Sequence, residues 1–235
     1  MLKNNLINFF IFSILSIPVL LITGPFLPDL IISINILIFL FLINHEKKFD
    51  IFKNNFSYLF LFFILISSLN SFYSENFKSI ISSLGLIRFF LFILLTIYIL
   101  NYLNIDLRLK LFKVLLICYC YLFFEFFSQV LLGHTLFGQI VTNSTRLVLS
   151  SLHHEEIISS YVVRFYPLFV GLYYLLKDKL SQLKILFYFL NIFIFSLVLF
   201  NGERTALGLF IILIIFLFIF LKINLKFKVS AVLIS

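Results

Sequence analysis

The sequence predicts an all-α fold, a polytopic transmembrane helical bundle of about eight spans with its N-terminus in the cytoplasm. Three observations predict it. Hydrophobic residues make up 63% of the 235 positions and the mean hydropathy is +1.16. Apolar runs of about 18 residues or more recur along the chain, each long enough to cross a hydrocarbon core of roughly 30 Å, and they do not alternate apolar with polar as barrel strands would. The lysines and arginines fall almost entirely in alternate short connections, which is the pattern of a multi-pass helical protein.

The first span is expected at 5–23. Lys3 and the apolar stretch from Leu6 to Thr23 resemble a secretory leader, but Gly24, Pro25, Phe26, Leu27 and Pro28 follow where a small-residue cleavage site would stand. The segment therefore reads as an uncleaved span. The next spans are expected at 30–43, 55–73, 80–100, 111–132, 156–176, 184–200 and 205–221. Another apolar piece begins near Val229 and meets Ser235 before the roughly 20 residues a crossing needs. The expectation is one multi-pass membrane domain over 1–235, incomplete at its C-terminal end, with a ninth span cut short.

Counting basic residues orients these spans. One set of connections holds thirteen: Lys3, Lys47, Lys48, Lys53, Arg108, Lys110, Lys113, Lys177, Lys179, Lys184, Lys222, Lys226 and Lys228. The other set holds three, Lys78, Arg146 and Arg204. The positive-inside rule places the rich set in the cytoplasm. The outward connections are then about 24–29, 74–79, 133–155 and 201–204, of which 133–155 is the longest. The net charge of +8 is thus a topology signal and not the footprint of a nucleic-acid partner; the partner that composition implies is the lipid bilayer. Cys118 and Cys120 stand two residues apart in one span, on different helix faces, which argues against a disulfide or a shared metal.

Three ionisable residues fall inside spans: Arg88, Glu125 and Arg164. Each lies about eight residues from the outer end of its span, roughly 12 Å below the outer surface at 1.5 Å per residue. Charges at that depth face a protein interior or a wet cavity. One reading is an ion pair of Glu125 with Arg88 or Arg164 that fixes helix packing. The other is a polar cluster open to the outside, whose surplus positive charge calls for an anionic ligand or water.

The polar stretch from Ser150 to Pro167 leads from the longest outer connection into the sixth span. Glu156, Ser160 and Arg164 recur at i, i+4 and i+8, on one helical face. Pro167 is expected to kink this helix and free a backbone carbonyl. Glu155 and Glu156 suit a helix start, where the dipole favours negative charge. His153 and His154 are adjacent and share no helix face, so no metal site is expected there. A second polar stretch, Asn201 to Thr205, lies between the seventh and eighth spans. It reads either as a tight turn with Thr205 opening the next helix, or as Glu203 and Arg204 facing an outer cavity, where the forked donor of an arginine suits diphosphate oxygens.

At these two stretches the chain resembles the O-antigen polymerase and O-antigen ligase superfamily of bacterial membrane glycosyltransferases. The first block has Gly133, Phe137 and Gly138, then Arg146, an acidic residue (Glu155 or Glu156), and Ser160, Tyr161, Arg164 and Pro167. The second is the Gly-Glu-Arg-Thr-Ala run from Gly202 to Ala206, opening a span. The resemblance implies an enzyme of surface-polysaccharide biosynthesis in the bacterial inner membrane. It would move an oligosaccharide from an undecaprenyl diphosphate carrier to an acceptor at the periplasmic face, with no metal or cofactor. Arg146, Arg164 and Arg204 would bind the diphosphate of the donor lipid, with Glu156 and Glu203 in the same substrate-binding set. Arg88 and Glu125 join it from their depth alone, and no catalytic residue is named. Ser159 stands where relatives often have glycine, and relatives carry further spans and a large outer loop, so a C-terminal half or other polysaccharide-assembly proteins are implied partners. Two rival classes remain at this point: a transporter or flippase component for lipid-linked sugars, which would also need outward arginines, and a non-enzymatic membrane scaffold.

Overall fold

The computed structural model describes residues 2–73, 77–102, 106–138 and 158–220. Among these residues the protein is helical, with no strand. The order is α1 (Leu2–Ile22), α2 (Phe26–Glu46), α3 (Asn55–Tyr73), α4 (Phe77–Ile97) running into a π-helical turn (Tyr98–Tyr102), α5 (Arg108–Leu132), α6 (Ile158–Leu175), α7 (Lys184–Asn201) and α8 (Arg204–Phe220). Short 3₁₀ turns precede α3 and α7. Each of the eight predicted apolar segments is one helix. The predicted piece near Val229 lies outside the described residues.

Three of these helices are long and apolar enough to cross a membrane: α2, α5, and α7 counted with its leading turn, Ser181–Asn201. Shorter apolar stretches lie in α1, α3, α4 and α8. The side chains left outward are hydrocarbon, among them Leu37, Leu59, Phe62, Ile117 and Ile192. Such large apolar exteriors mark a membrane protein. The exception is α6, which belongs to neither apolar group because Arg164, Pro167 and its serines and tyrosines dilute it. It is the helix on which the predicted site lies.

The chain forms two compact units, Met1–Leu107 and Arg108–Ser235. In the first, α2 and α3 both pack on α4, and α1 packs on α2. Phe39, Phe90, Leu94, Leu95 and Ile99 fill the core. Local chemistry sets the ends of its helices. Lys47 takes the left-handed conformation at φ 53° and closes α2, its N–H donating to the carbonyls of Asn44 and Ile43. Asn54 caps α3 by accepting from the Ser57 N–H at 2.7 Å. The Tyr98 hydroxyl and the Lys48 ammonium both bond Glu46, at 2.9 and 2.8 Å, tying the end of α4 to the end of α2.

In the second unit α6 packs against α5, α7 and α8. Aromatic rings fix the antiparallel register. Phe112 of α5 stacks on Phe169 of α6 with centroids 5.3 Å apart, and Tyr173 of α6 stacks on Phe187 of α7. Pro167 lacks the N–H that would bond the Val163 carbonyl. One residue before that carbonyl, the Tyr119 hydroxyl from α5 donates to the Val162 carbonyl at 3.0 Å, so a neighbouring helix supplies a polar partner in the turn the proline weakens.

Candidate functional site

The buried polar side chains described in the second unit are Glu125, Ser128, Gln129, Thr135, Ser159, Asn201 and Glu203. All of them sit at one end: the last third of α5 and the turn after it, the first turn of α6, and the junction of α7 with α8. The buried side chains of the opposite end are aromatic and aliphatic, among them Phe112, Tyr173 and Phe187. Buried polar groups need partners, so this end is where the sequence spends its hydrogen bonds.

The junction is built by Gly202, which takes φ 65° and ends α7 in the left-handed conformation. Glu203 is thereby turned back into the unit and is 8% exposed. Its backbone carbonyl accepts from the Leu207 N–H at 3.0 Å and so starts α8. Its carboxylate reaches across to α6 and bonds Thr205 of α8 as well. Oε2 accepts from the Ser160 N–H at 3.1 Å, and Oε1 accepts from the Ser160 hydroxyl and, at 3.4 Å, from the Thr205 hydroxyl. The Ser160 N–H lies in the first turn of α6, where N–H groups have no intrahelical acceptor. A carboxylate from 43 residues away therefore supplies the cap, and the dipole of α6 favours its charge.

Arg164 lies one helical turn beyond Ser160 and is exposed; Arg204 follows Glu203 directly and is also exposed. Neither arginine pairs with a carboxylate among the described residues. Of the two readings of Asn201–Thr205, the turn is present, but Thr205 does not open the helix alone: Glu203 starts it from the backbone, and Thr205 adds a bond to the Glu203 carboxylate.

Arg146 and Glu156 lie outside the described residues, as do His153, His154 and Glu155. Arg88 belongs to the first unit, where its guanidinium pairs with Asp29 at 3.1 Å and lies over the Phe89 ring. Asp29 falls in the expected connection at 24–29, but in the structure it lies in the first turn of α2. The signal for it in the sequence is a carboxylate at the end of a neighbouring apolar segment, within reach of a long arginine side chain. Glu125 is fully buried and accepts from the Gln129 amide at 2.9 Å and the Tyr121 hydroxyl at 3.2 Å, both on its own helix. Glu125 and Arg164 form no ion pair among the described residues. The donors described for Glu125 are neutral and stand one turn to either side of it on α5.

Cys118 is buried and Cys120 partly so, and both are free; a side-chain hydrogen bond joins Cys118 to Tyr161. Among the described residues no group of three His, Cys, Asp or Glu side chains comes together in a way that could hold a metal ion. No protein-family model, no curated protein and no solved structure matches this chain.

Proposed function

We propose that this chain is an O-antigen polymerase- or ligase-like protein of the bacterial inner membrane. In this reading it crosses the membrane about eight times and acts at the periplasmic face on an oligosaccharide linked to undecaprenyl diphosphate. What supports the reading is one contact. The two blocks that carry the resemblance are 43 residues apart at Ser160 and Glu203, yet they meet there. Beside that contact stand Arg164 and Arg204, two exposed guanidinium groups without a carboxylate partner among the described residues. Forked donors free of protein carboxylates suit the oxygens of a diphosphate. In the transfer itself, fixed cations would stabilise charge developing on the diphosphate as the glycosyl bond breaks.

The test is binding of undecaprenyl diphosphate to the full chain in lipid nanodiscs. Arg164→Ala and Arg204→Ala are each expected to weaken it by about tenfold or more, the scale of a lost charge-assisted contact. Unchanged affinity in both variants would sink the reading. At two positions a packing role is favoured instead: Arg88 has its carboxylate in Asp29, and Glu125 has its donors in Tyr121 and Gln129.

A further inference from the structure

We infer that Glu203 is a positioning residue: its carboxylate holds the first turn of α6 to the start of α8, and so sets where Arg164 and Arg204 stand, without meeting the ligand itself. The inference rests on the diphosphate-binding reading for its ligand, though not for its structural part.

Glu203 begins two helices at once. Its main chain starts α8 through the bond to the Leu207 N–H, and its side chain caps α6 through the Ser160 N–H and hydroxyl. Each arginine is tied to one of these two bonds. Arg204 is the next residue after the one that starts α8, and Arg164 is one turn, about 6 Å, along α6 from the capped residue. The Glu203 carboxylate meets one of the N–H groups of the first turn of α6, which have no acceptor within the helix.

The carboxylate is badly placed for any other task. Three hydrogen bonds occupy its two oxygens, and it is buried. Oxygens so engaged have little acceptor capacity left for a further partner. A negative charge in direct contact with a phosphate would repel it. Through α6 the same charge acts differently, because it fixes geometry.

This assignment makes a prediction whose sign is opposite to that of simple electrostatics. Replacing a carboxylate near two arginines by a neutral group should tighten an anion if charge alone mattered. If Glu203 positions the arginines, the anion should weaken. The experiment compares the full chain with Glu203→Gln, Glu203→Ala and Ser160→Ala in nanodiscs, with undecaprenyl diphosphate as the probe. Hydrogen–deuterium exchange over 158–164 is read on the same samples. The expected result is binding weakened by about tenfold for Glu203→Ala, and less for Glu203→Gln and Ser160→Ala, which keep part of the cap. Amide exchange at the start of α6 should quicken, with exchange in α5 unchanged as the sign that the fold persists.

Equal or tighter binding in Glu203→Ala, with Arg164→Ala weakened, would overturn the positioning role. Unchanged exchange at the start of α6 would overturn it too, because the cap would then not hold that turn. If Arg164→Ala and Arg204→Ala both bind normally, the diphosphate reading has failed by itself, and the exchange measurement alone decides whether Glu203 orders α6.

Discussion

The Tyr119 hydroxyl of α5 donates to the Val162 carbonyl of α6 at 3.0 Å, next to the carbonyl that Pro167 leaves without its helical N–H. Both partners are buried in the aromatic core of the second unit. Tyr119→Phe keeps the ring, which packs on Phe169, and removes only the hydroxyl. A loss of about 1 kcal/mol is expected, the scale of one interhelical hydrogen bond in a membrane protein. Unfolding in mixed micelles by denaturing detergent would measure it, and no loss would mean that the proline turn needs no support from α5.

Arg88 and Asp29 tie α4 to α2, and both side chains remain about 40% exposed. Pairs that open are screened, so the coupling should be modest, about 0.5 kcal/mol. A double-mutant cycle with Arg88→Gln and Asp29→Asn reads it. Coupling near zero would show that Arg88 is held by its stem and the Phe89 ring and not by the carboxylate.

Glu125 is a buried carboxylate whose donors among the described residues are neutral. Glu125→Gln removes the charge and keeps the shape, so stability should hold or rise. Glu125→Ala removes the acceptor of one Gln129 amide bond and should cost about 1–3 kcal/mol. A marked loss in the Gln variant would mean that the negative charge is needed where it lies.

Ser159 is fully buried and its hydroxyl has no hydrogen-bond partner among the described residues. Such a group carries its desolvation cost without return. Ser159→Ala should therefore raise stability by about 1 kcal/mol in the same unfolding assay. A decrease would show that the hydroxyl has an acceptor in the folded protein.

At Arg164 the shape of the cation should matter as well as its charge. Arg164→Lys keeps the charge but loses the forked donor, so it should restore little of the undecaprenyl diphosphate binding lost in Arg164→Ala. Full restoration would indicate a point-charge contact.

The helices were legible because hydrocarbon runs and interrupting polar residues show in one dimension. Each of the eight expected spans coincides with a helix among the described residues, with boundaries shifted by a few residues. The candidate site was legible in part. The two polar stretches were recognisable as chemistry out of place in an apolar chain, and the structure brings them together at Ser160 and Glu203. Partner choice was not legible. The sequence left open whether Glu125 pairs with an arginine or joins an outward polar cluster; its hydrogen bonds go to Tyr121 and Gln129, and Arg88 pairs with Asp29.

What the amino-acid sequence determined by itself was the class, the helices and the positions of the few ionisable residues along them. Hydrophobicity and helix formation are local: a run of apolar residues in lipid must satisfy its own backbone, whatever its neighbours do. What only the tertiary structure decided was the use made of each charge. A carboxylate reaches only a few ångströms, so whether Glu203 meets solvent, a ligand or the first turn of α6 depends on how two helices far apart in sequence pack against each other. Gly202 and the aromatic stacks between α5, α6 and α7 settle that geometry, and no window along the chain contains it.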